Sequence, residues 1–534
     1  TGLPNFSFQR FPSHLFQPSE PSLTRIDMSA AAEMINAARR YAPKAGRSWP
    51  RALPALNAKN NGAVDPIVVD QSHFTPLGSW SQEKVEDSRR ENPYMMTWVP
   101  GKARENVPIL SHGDGVYLYD VKGKQYLDWT SQAVCSNLGH NVPEEIVEAA
   151  AYQMRVLPYT YGGIGFTEVR ARINQLMGEI LPGDLAAAVF PSSGAEANEA
   201  GIMMARRFTG KQKVISWYRS YHGATGHSGA ATGDSRRWYG HDQNPGFVKA
   251  FNPFPLFFDY AGQTEPEEVS SALRMMEELI LNEGPENIAS IVMESVVGAG
   301  GCLVMPDGYM QGIRALCDKY GILMHIDEVM VGFGRTGKLW GFQNYEGVMP
   351  DIVSSAKGIS SASIPVSMTA CSKEIMDFFE DKPLGYGSTY QAHPVALACA
   401  YENIKYLLQN DIVGRVQRLA PLFEQNMQRL VEMHPCIKQY RSIGLFGCFD
   451  VHEVEGTNPK LQHEQAHAAF LKYKKAYAEN GLVGLHRYPH IHCAPPLNIT
   501  EEELIDGFDR LDRSLYVLDE ALGYSQDEED VASC

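Results

Sequence analysis

The chain has 534 residues, of which 44% are hydrophobic and 21% charged, and its formal net charge is -16. The length exceeds one ordinary core, so two or more packed domains are expected; the composition is that of a globular protein, and no apolar run reaches membrane-spanning length. The acidic balance argues against nucleic acid or anionic lipid as a partner, because both select clustered cationic surface.

Residues 1–92 read as an N-terminal extension. Between Met28 and Lys59 the bases Arg39, Arg40, Lys44, Arg47, Arg51 and Lys59 face a single acid, Glu33. Basic, acid-poor and amphipathic is the transit-peptide pattern, which gives a mitochondrial expectation. The plainer reading is an extension or arm in a cytoplasmic protein. Nine cysteines are scattered without a Cys-x-x-Cys pair, which fits buried thiols in a reducing compartment. The acidic tail over 523–534 is expected to be irregular.

Further along, Ala186 to Phe190 is a short apolar strand that runs into Pro191-Ser192-Ser193-Gly194, and Ala195 to Phe208 has helical spacing. A glycine turn at a helix amino end aims free N–H groups at an anion, so Ser193, Gly194 and Ala195 form a candidate phosphate cradle. Val214 to Tyr218 is another strand, followed by Tyr221-His222-Gly223. Gly321 to Ile326 is continuously apolar, as in parallel sheets, and delivers Asp327 at its carboxyl end. Asp351 to Ser355 delivers Lys357 to the same edge. An amine beside a carboxylate there matches what pyridoxal phosphate requires: one group to hold the aldehyde, one to keep the ring nitrogen protonated.

Motifs in a fixed order accompany this pair: Gly115-Val116-Tyr117-Leu118-Tyr119-Asp120, Leu138-Gly139-His140, Ser193-Gly194-Ala195-Glu196-Ala197-Asn198, Tyr221-His222-Gly223, Glu294 with Gly298 to Gly301, Asp327-Glu328-Val329, and Ala356-Lys357-Gly358. From about Pro93 to Leu522 the chain resembles the class III aminotransferases, pyridoxal-phosphate enzymes of fold type I. The resemblance implies an α/β fold with a large, mostly parallel domain over 157–403 and a smaller α/β domain built from 93–156 and 404–522. It also implies that Tyr221 and Val329 wall the two faces of the cofactor ring, that Asp327 pairs with its nitrogen, and that Lys357 anchors it and shuttles the proton. His222 and Glu294 are placed near the cofactor. Gly387-Ser388-Thr389-Tyr390 matches a segment that brings a threonine to the neighbouring subunit's phosphate, so Thr389 implies a homodimer or higher homo-oligomer. Arg335 and Arg441 are expected to be structural.

Details after Lys357, together with Met96-Thr97-Trp98 and Tyr218 to Thr225, look closest to the branch that moves amino groups from ω-amino acids such as taurine, β-alanine or 4-aminobutyrate, or from amines, to pyruvate or another 2-oxo acid. Trp98 is a candidate substrate contact. Where relatives carry a carboxylate-binding arginine this chain has Leu485, with Arg487 two residues later as the candidate substitute. The same fold serves aminomutases, decarboxylases and epimerases, which are the alternative reactions. His463-Glu464-Gln465-Ala466-His467 also spells a zinc-peptidase signature, but no third ligand follows, and it reads as chance on a solvated helix face. No metal is expected.

Overall fold

The computed structural model describes residues 75–92, 94–240, 244–254, 262, 264–452 and 464–524. The chain divides into two compact units, Thr1–Trp80 and Ser81–Cys534, and every element below belongs to the second. The basic stretch from Met28 to Lys59, His463 and the tail from residue 525 on lie outside the described residues.

Strands β1 (Leu110–Asp114), β2 (Tyr117–Asp120) and β3 (Gln125–Asp128) open the unit as an antiparallel meander. The central sheet takes β4 (Ala186–Val189), β5 (Lys213–Trp217), β6 (Phe247–Ala250) and β7 (Ile288–Glu294). A small hairpin, β8 (Val296–Val297) with β9 (Leu303–Val304), precedes the last central strands, β10 (Leu323–Asp327), β11 (Ile352–Ser355) and β12 (Met368–Cys371). Their spatial order is β4-β12-β11-β10-β7-β5-β6. The pairings from β11 through β10, β7 and β5 to β6 are parallel, whereas β12 is antiparallel to both its neighbours, β11 and β4. All residues of β7 are buried, as expected where helices cover both faces of a parallel sheet. The architecture is therefore α/β with a mostly parallel central sheet.

The helix Gly194–Thr209 follows β4 because Ser193 caps it, its hydroxyl accepting from the Glu196 N–H, and Gly210 ends it in the left-handed region that glycine enters without a Cβ clash. Its buried face, Ala197, Ala200, Gly201, Met204 and Ala205, is made mostly of small residues and lies on the sheet. A Cβ on Gly201 would stand 2.4 Å from His325 Cε1 on β10.

The C-terminal part forms β13 (Ile437–Ile443), β14 (Phe446–Val451), β15 (Leu482–Val483), β16 (His486–Arg487) and β17 (His490–Cys493). Four of these make an antiparallel sheet in the order β13-β14-β17-β16, while β15 pairs in parallel with β3. Chain ends far apart in sequence thus share one sheet. The helix Glu501–Leu522 begins with a capping box between Thr500 and Glu503 and buries Leu504, Phe508, Leu511, Leu515 and Leu518, the i, i+4, i+7 stripe of an amphipathic helix. Phe508 meets Trp129 edge-on at 5.0 Å and Phe423 at 5.4 Å. Arg335 is fully buried between these parts, donating to the carbonyls of Leu445 and Pro495, to Ser131 Oγ and to Asn137 Oδ1. Arg441 is held by a two-pronged pair with Asp450, at 2.6 and 2.7 Å, and donates to the Gly301 carbonyl.

Candidate active site

Parallel register sets Glu294, Asp327 and Ser354 side by side at the carboxyl edge of the sheet, on neighbouring strands β7, β10 and β11. Open α/β sheets bind ligands at this edge. Asp327 is 3% exposed, and burial alone would raise its carboxyl pKa. The His222 hydrogen bond and charge, then the Val329 N–H and the Asn198 amide, outweigh burial and hold it below the ordinary value. The distances are 2.8 Å from His222 Nδ1 and 2.7 Å from Asn198 Nδ2, both to Oδ2, and 2.9 Å from the Val329 N–H to Oδ1. A carboxylate offers about four lone-pair sites, so these donors leave one open for a further N–H. His222 is fixed in turn, its N–H donating to Thr232 Oγ1 and its carbonyl accepting from Asn198.

Glu294 sits one strand away and behaves oppositely. Burial is the largest influence, and the neighbouring Asp327 charge adds to it, so its pKa is raised despite the Tyr221 and Gly298 N–H groups it accepts at 3.0 and 2.8 Å. Two adjacent carboxyls are thus pushed apart, one ionised and one inclined to hold a proton. Glu328 faces away from the pair, accepting from Ser295 and from the Gly341 and Phe342 N–H groups, and burial pushes it up to about 7.

Lys357 begins a short 3₁₀ turn just after β11, with φ at +44°. That left-handed backbone costs a lysine conformational energy and fits a position fixed by its surroundings. Burial lowers the amine's pKa; Cys135, Asp327 and Glu294 act against this in that order, and Arg236 adds to it. The amine therefore gives up its proton more readily than a surface lysine.

The Ser193-Gly194-Ala195 turn lies over the same edge. The N–H groups of Gly194 and Ala195, orphans of a helix's first turn, have no hydrogen-bond partner among the described residues. Gly194 also lets Val329 approach: a Cβ there would meet Val329 Cγ1 at 2.7 Å. The cradle, Asp327 and Val329 are thereby locked together.

Tyr221 is tied to the same edge by its backbone N–H, which donates to Glu294 at 3.0 Å. Trp98 meets its ring edge-on at 6.4 Å, and the Arg236 guanidinium lies 3.4 Å from the ring centroid and 5.6 Å from that of Trp98. Arg236 is gripped by Asp234, with Nε 2.9 Å from Oδ2, and Arg487 Nη1 reaches the same oxygen at 3.0 Å. Alternation along β16 sends His486 into the aromatic cluster of Phe470, Tyr473 and Tyr477, leaving Arg487 toward Asp234. Leu485 is 45% exposed, its backbone N–H donating to Thr130 Oγ1 at 2.9 Å.

Sequence reading thus meets Lys357, Asp327, Ser193, Gly194, Ala195, Tyr221, His222, Val329, Glu294, Trp98 and Arg487 around one sheet edge. Thr389 is exposed, and its carbonyl accepts from Tyr159 Oη at 2.7 Å; no contact among the described residues joins it to Lys357. Sequence reading missed the role of Asn198, which is inside a quoted motif, and all of Asp234 and Arg236. Of the peptidase-like pattern, His463 is outside the described residues and His467 is exposed.

The model of the family described as aminotransferase class III matches residues 101–515. The solved taurine:2-oxoglutarate aminotransferase of Bifidobacterium kashiwanohense, in complex with PLP and glutamate, is 34% identical with a TM-score of 0.77, covering 84% of this chain and all of that one. The gamma aminobutyrate transaminase 1 of Solanum lycopersicum, designated mitochondrial, is 31% identical over 411 residues, 74% of this chain and 79% of its own. The putrescine–pyruvate aminotransferase of Pseudomonas aeruginosa is 33% identical over 359 residues, 64% and 76% respectively. The donor set fits pyridoxal phosphate: a buried carboxylate that keeps its charge, an amine of lowered basicity, and free helix N–H groups. With the family model spanning most of the chain, the protein belongs to the class III aminotransferases and is a pyridoxal-phosphate-dependent transaminase.

Proposed function

We propose that the protein transfers an amino group from an ω-amino acid or amine of the taurine, β-alanine or 4-aminobutyrate class to pyruvate or another 2-oxo acid. The observation that carries the site assignment is Asp327, ionised by three fixed donors at the carboxyl edge of the sheet, with the low-basicity Lys357 beside it. Pyridoxal phosphate, when bound, supplies the electron sink that lets the donor lose a proton from its amine-bearing carbon. Asp327 holds the ring nitrogen's proton, and His222 and Asn198 keep Asp327 ionised and aimed. The free N–H groups of Gly194 and Ala195, with Ser193, would hold the phosphate, and Tyr221 and Val329 would wall the ring. Lys357 would anchor the cofactor and, once released, would accept at Nζ the proton from the donor's amine-bearing carbon, as suits an amine whose pKa is lowered. Glu294, inclined to stay protonated, limits negative charge next to Asp327.

Trp98 and Arg487 line the substrate side, and exposed Thr389 completes the phosphate site of a second copy, making a homodimer the working unit. The taurine and 4-aminobutyrate activities in the relatives' names support the donor class.

The test is the visible spectrum of the cofactor-loaded protein, recorded while taurine, β-alanine, 4-aminobutyrate, putrescine and alanine are added singly. Loss of the cofactor band with an ω-amino donor, restored by pyruvate or 2-oxoglutarate, is the expected result and ranks both substrates. A band that responds to none of them would overturn the donor class.

A further inference from the structure

We infer that Arg236, positioned by Asp234 against Tyr221 and Trp98, is the group that receives the acid group of the substrate, a carboxylate or sulfonate, in this chain. The inference rests on transamination at the Lys357 site and names a residue for its substrate selectivity.

The cluster is built around one carboxylate. Asp234 is largely buried and accepts from Arg236 through the backbone N–H at 2.8 Å and through Nε at 3.1 and 2.9 Å, while Arg487 Nη1 donates to it at 3.0 Å. Two guanidinium groups against one carboxylate leave one positive charge uncompensated within the cluster. Arg236 is the better placed of the pair. Its side chain is 18% exposed against 40% for Arg487, and it alone stacks on Tyr221. The Tyr221 on which it stacks is tied by its backbone N–H to Glu294 at the sheet edge, register partner of Asp327.

Stacking and the Asp234 grip fix the plane of the guanidinium, and Nη1 has no hydrogen-bond partner among the described residues. A planar, pre-set fork with a free edge is suited to a carboxylate or sulfonate. Arg487 then plays a different part. By staying on Asp234 it keeps that carboxylate compensated when Arg236 turns part of its hydrogen bonding to substrate.

The test uses the cofactor-loaded protein as purified, with propionate and ethanesulfonate as unreactive probes. They are β-alanine and taurine stripped of the amino group. Their affinities are measured by calorimetry for the wild type, for R236Q and R236K, and for the remote charge control K373Q. The expected result is a loss of about 10- to 100-fold for R236Q, the scale of one charge-assisted contact, with part of it restored in R236K and no loss in K373Q. A loss confined to one probe would assign the acid class, carboxylate or sulfonate. Wild-type affinity for both probes in R236Q, with its cofactor band intact, would overturn the inference and pass acid-group binding to Arg487. Failure of every amine to bleach the wild-type band would instead remove the transaminase reading on which the inference stands.

Discussion

At the residue scale the site works by opposed electrostatics on neighbouring strands. Asp327 and Glu294 are register partners, yet hydrogen-bond donors keep the first ionised and burial drives the second toward its neutral form. The charge on Asp327 matters most, so replacing it with asparagine should lower kcat by ~100- to 1000-fold, the scale for losing one fixed charge at a reacting centre. Steady-state turnover of D327N, with cofactor content checked by absorbance, measures this; unchanged kcat would remove Asp327 from the chemistry. Asp327, Lys357 and the Ser193-Gly194-Ala195 turn could be read from the sequence because chemistry and spacing coincide: Asp327 ends an apolar strand and Lys357 follows the next. Tyr221, His222, Val329 and Glu294 were placed only by the family resemblance, since a lone tyrosine or valine after a strand otherwise reads as core packing. Asp234 and Arg236 were found by neither route. Arg487 is 253 positions from Asp234, and Asp234 and Arg236 start a single short 3₁₀ turn, Ser235–Tyr239, too brief to carry periodicity, so nothing local marks the cluster.

At the element scale the strand and helix expectations hold closely. The reading of Gly321 to Ile326 corresponds to Leu323–Asp327, and that of Ala195 to Phe208 to Gly194–Thr209, because buried parallel strands and capped helices write strong patterns. The two-residue strands β15 and β16 had no such pattern, since short edge pairings are decided by partners distant in sequence. One element-level device is measurable. His434 ends the helix Ile412–Met433 and is clamped by Asp519 at 2.6 Å and Asp512 at 2.7 Å, both on the helix Glu501–Leu522. Burial alone would lower its pKa, but the two aspartates outweigh burial and raise it. A raised histidine stabilises fully below its unfolded pKa of about 6.5, and the contribution fades as pH climbs through the higher folded value. H434N should therefore be less stable than wild type by ~2–4 kcal/mol at pH 6, with the gap narrowing at pH 9, as read by urea unfolding. A gap independent of pH would contradict the charged clamp.

At the scale of the whole molecule, the sheet shared by β3 and β15 ties the N-terminal meander to the C-terminal part around the central sheet. The loop carrying Thr389 is exposed, as are Tyr152, Met154, Tyr161, Ile164, Phe166 and Tyr390, an apolar set suited to a second copy. If Thr389 serves the neighbouring site, K357A and T389A are defective in complementary halves. Co-expressed hybrids should then regain one intact site per dimer, so that hybrid activity approaches half the wild-type value per dimer. Activity no greater than that of the two parents would place Thr389 outside the neighbouring site.

The central claim is that Lys357 carries the cofactor. Borohydride reduction of the loaded protein followed by peptide mass analysis tests it directly. The account requires the pyridoxyl mass on the peptide containing Ala356-Lys357-Gly358 and its loss in K357A. A label on any other lysine, or none on a protein that shows the cofactor band, would contradict it.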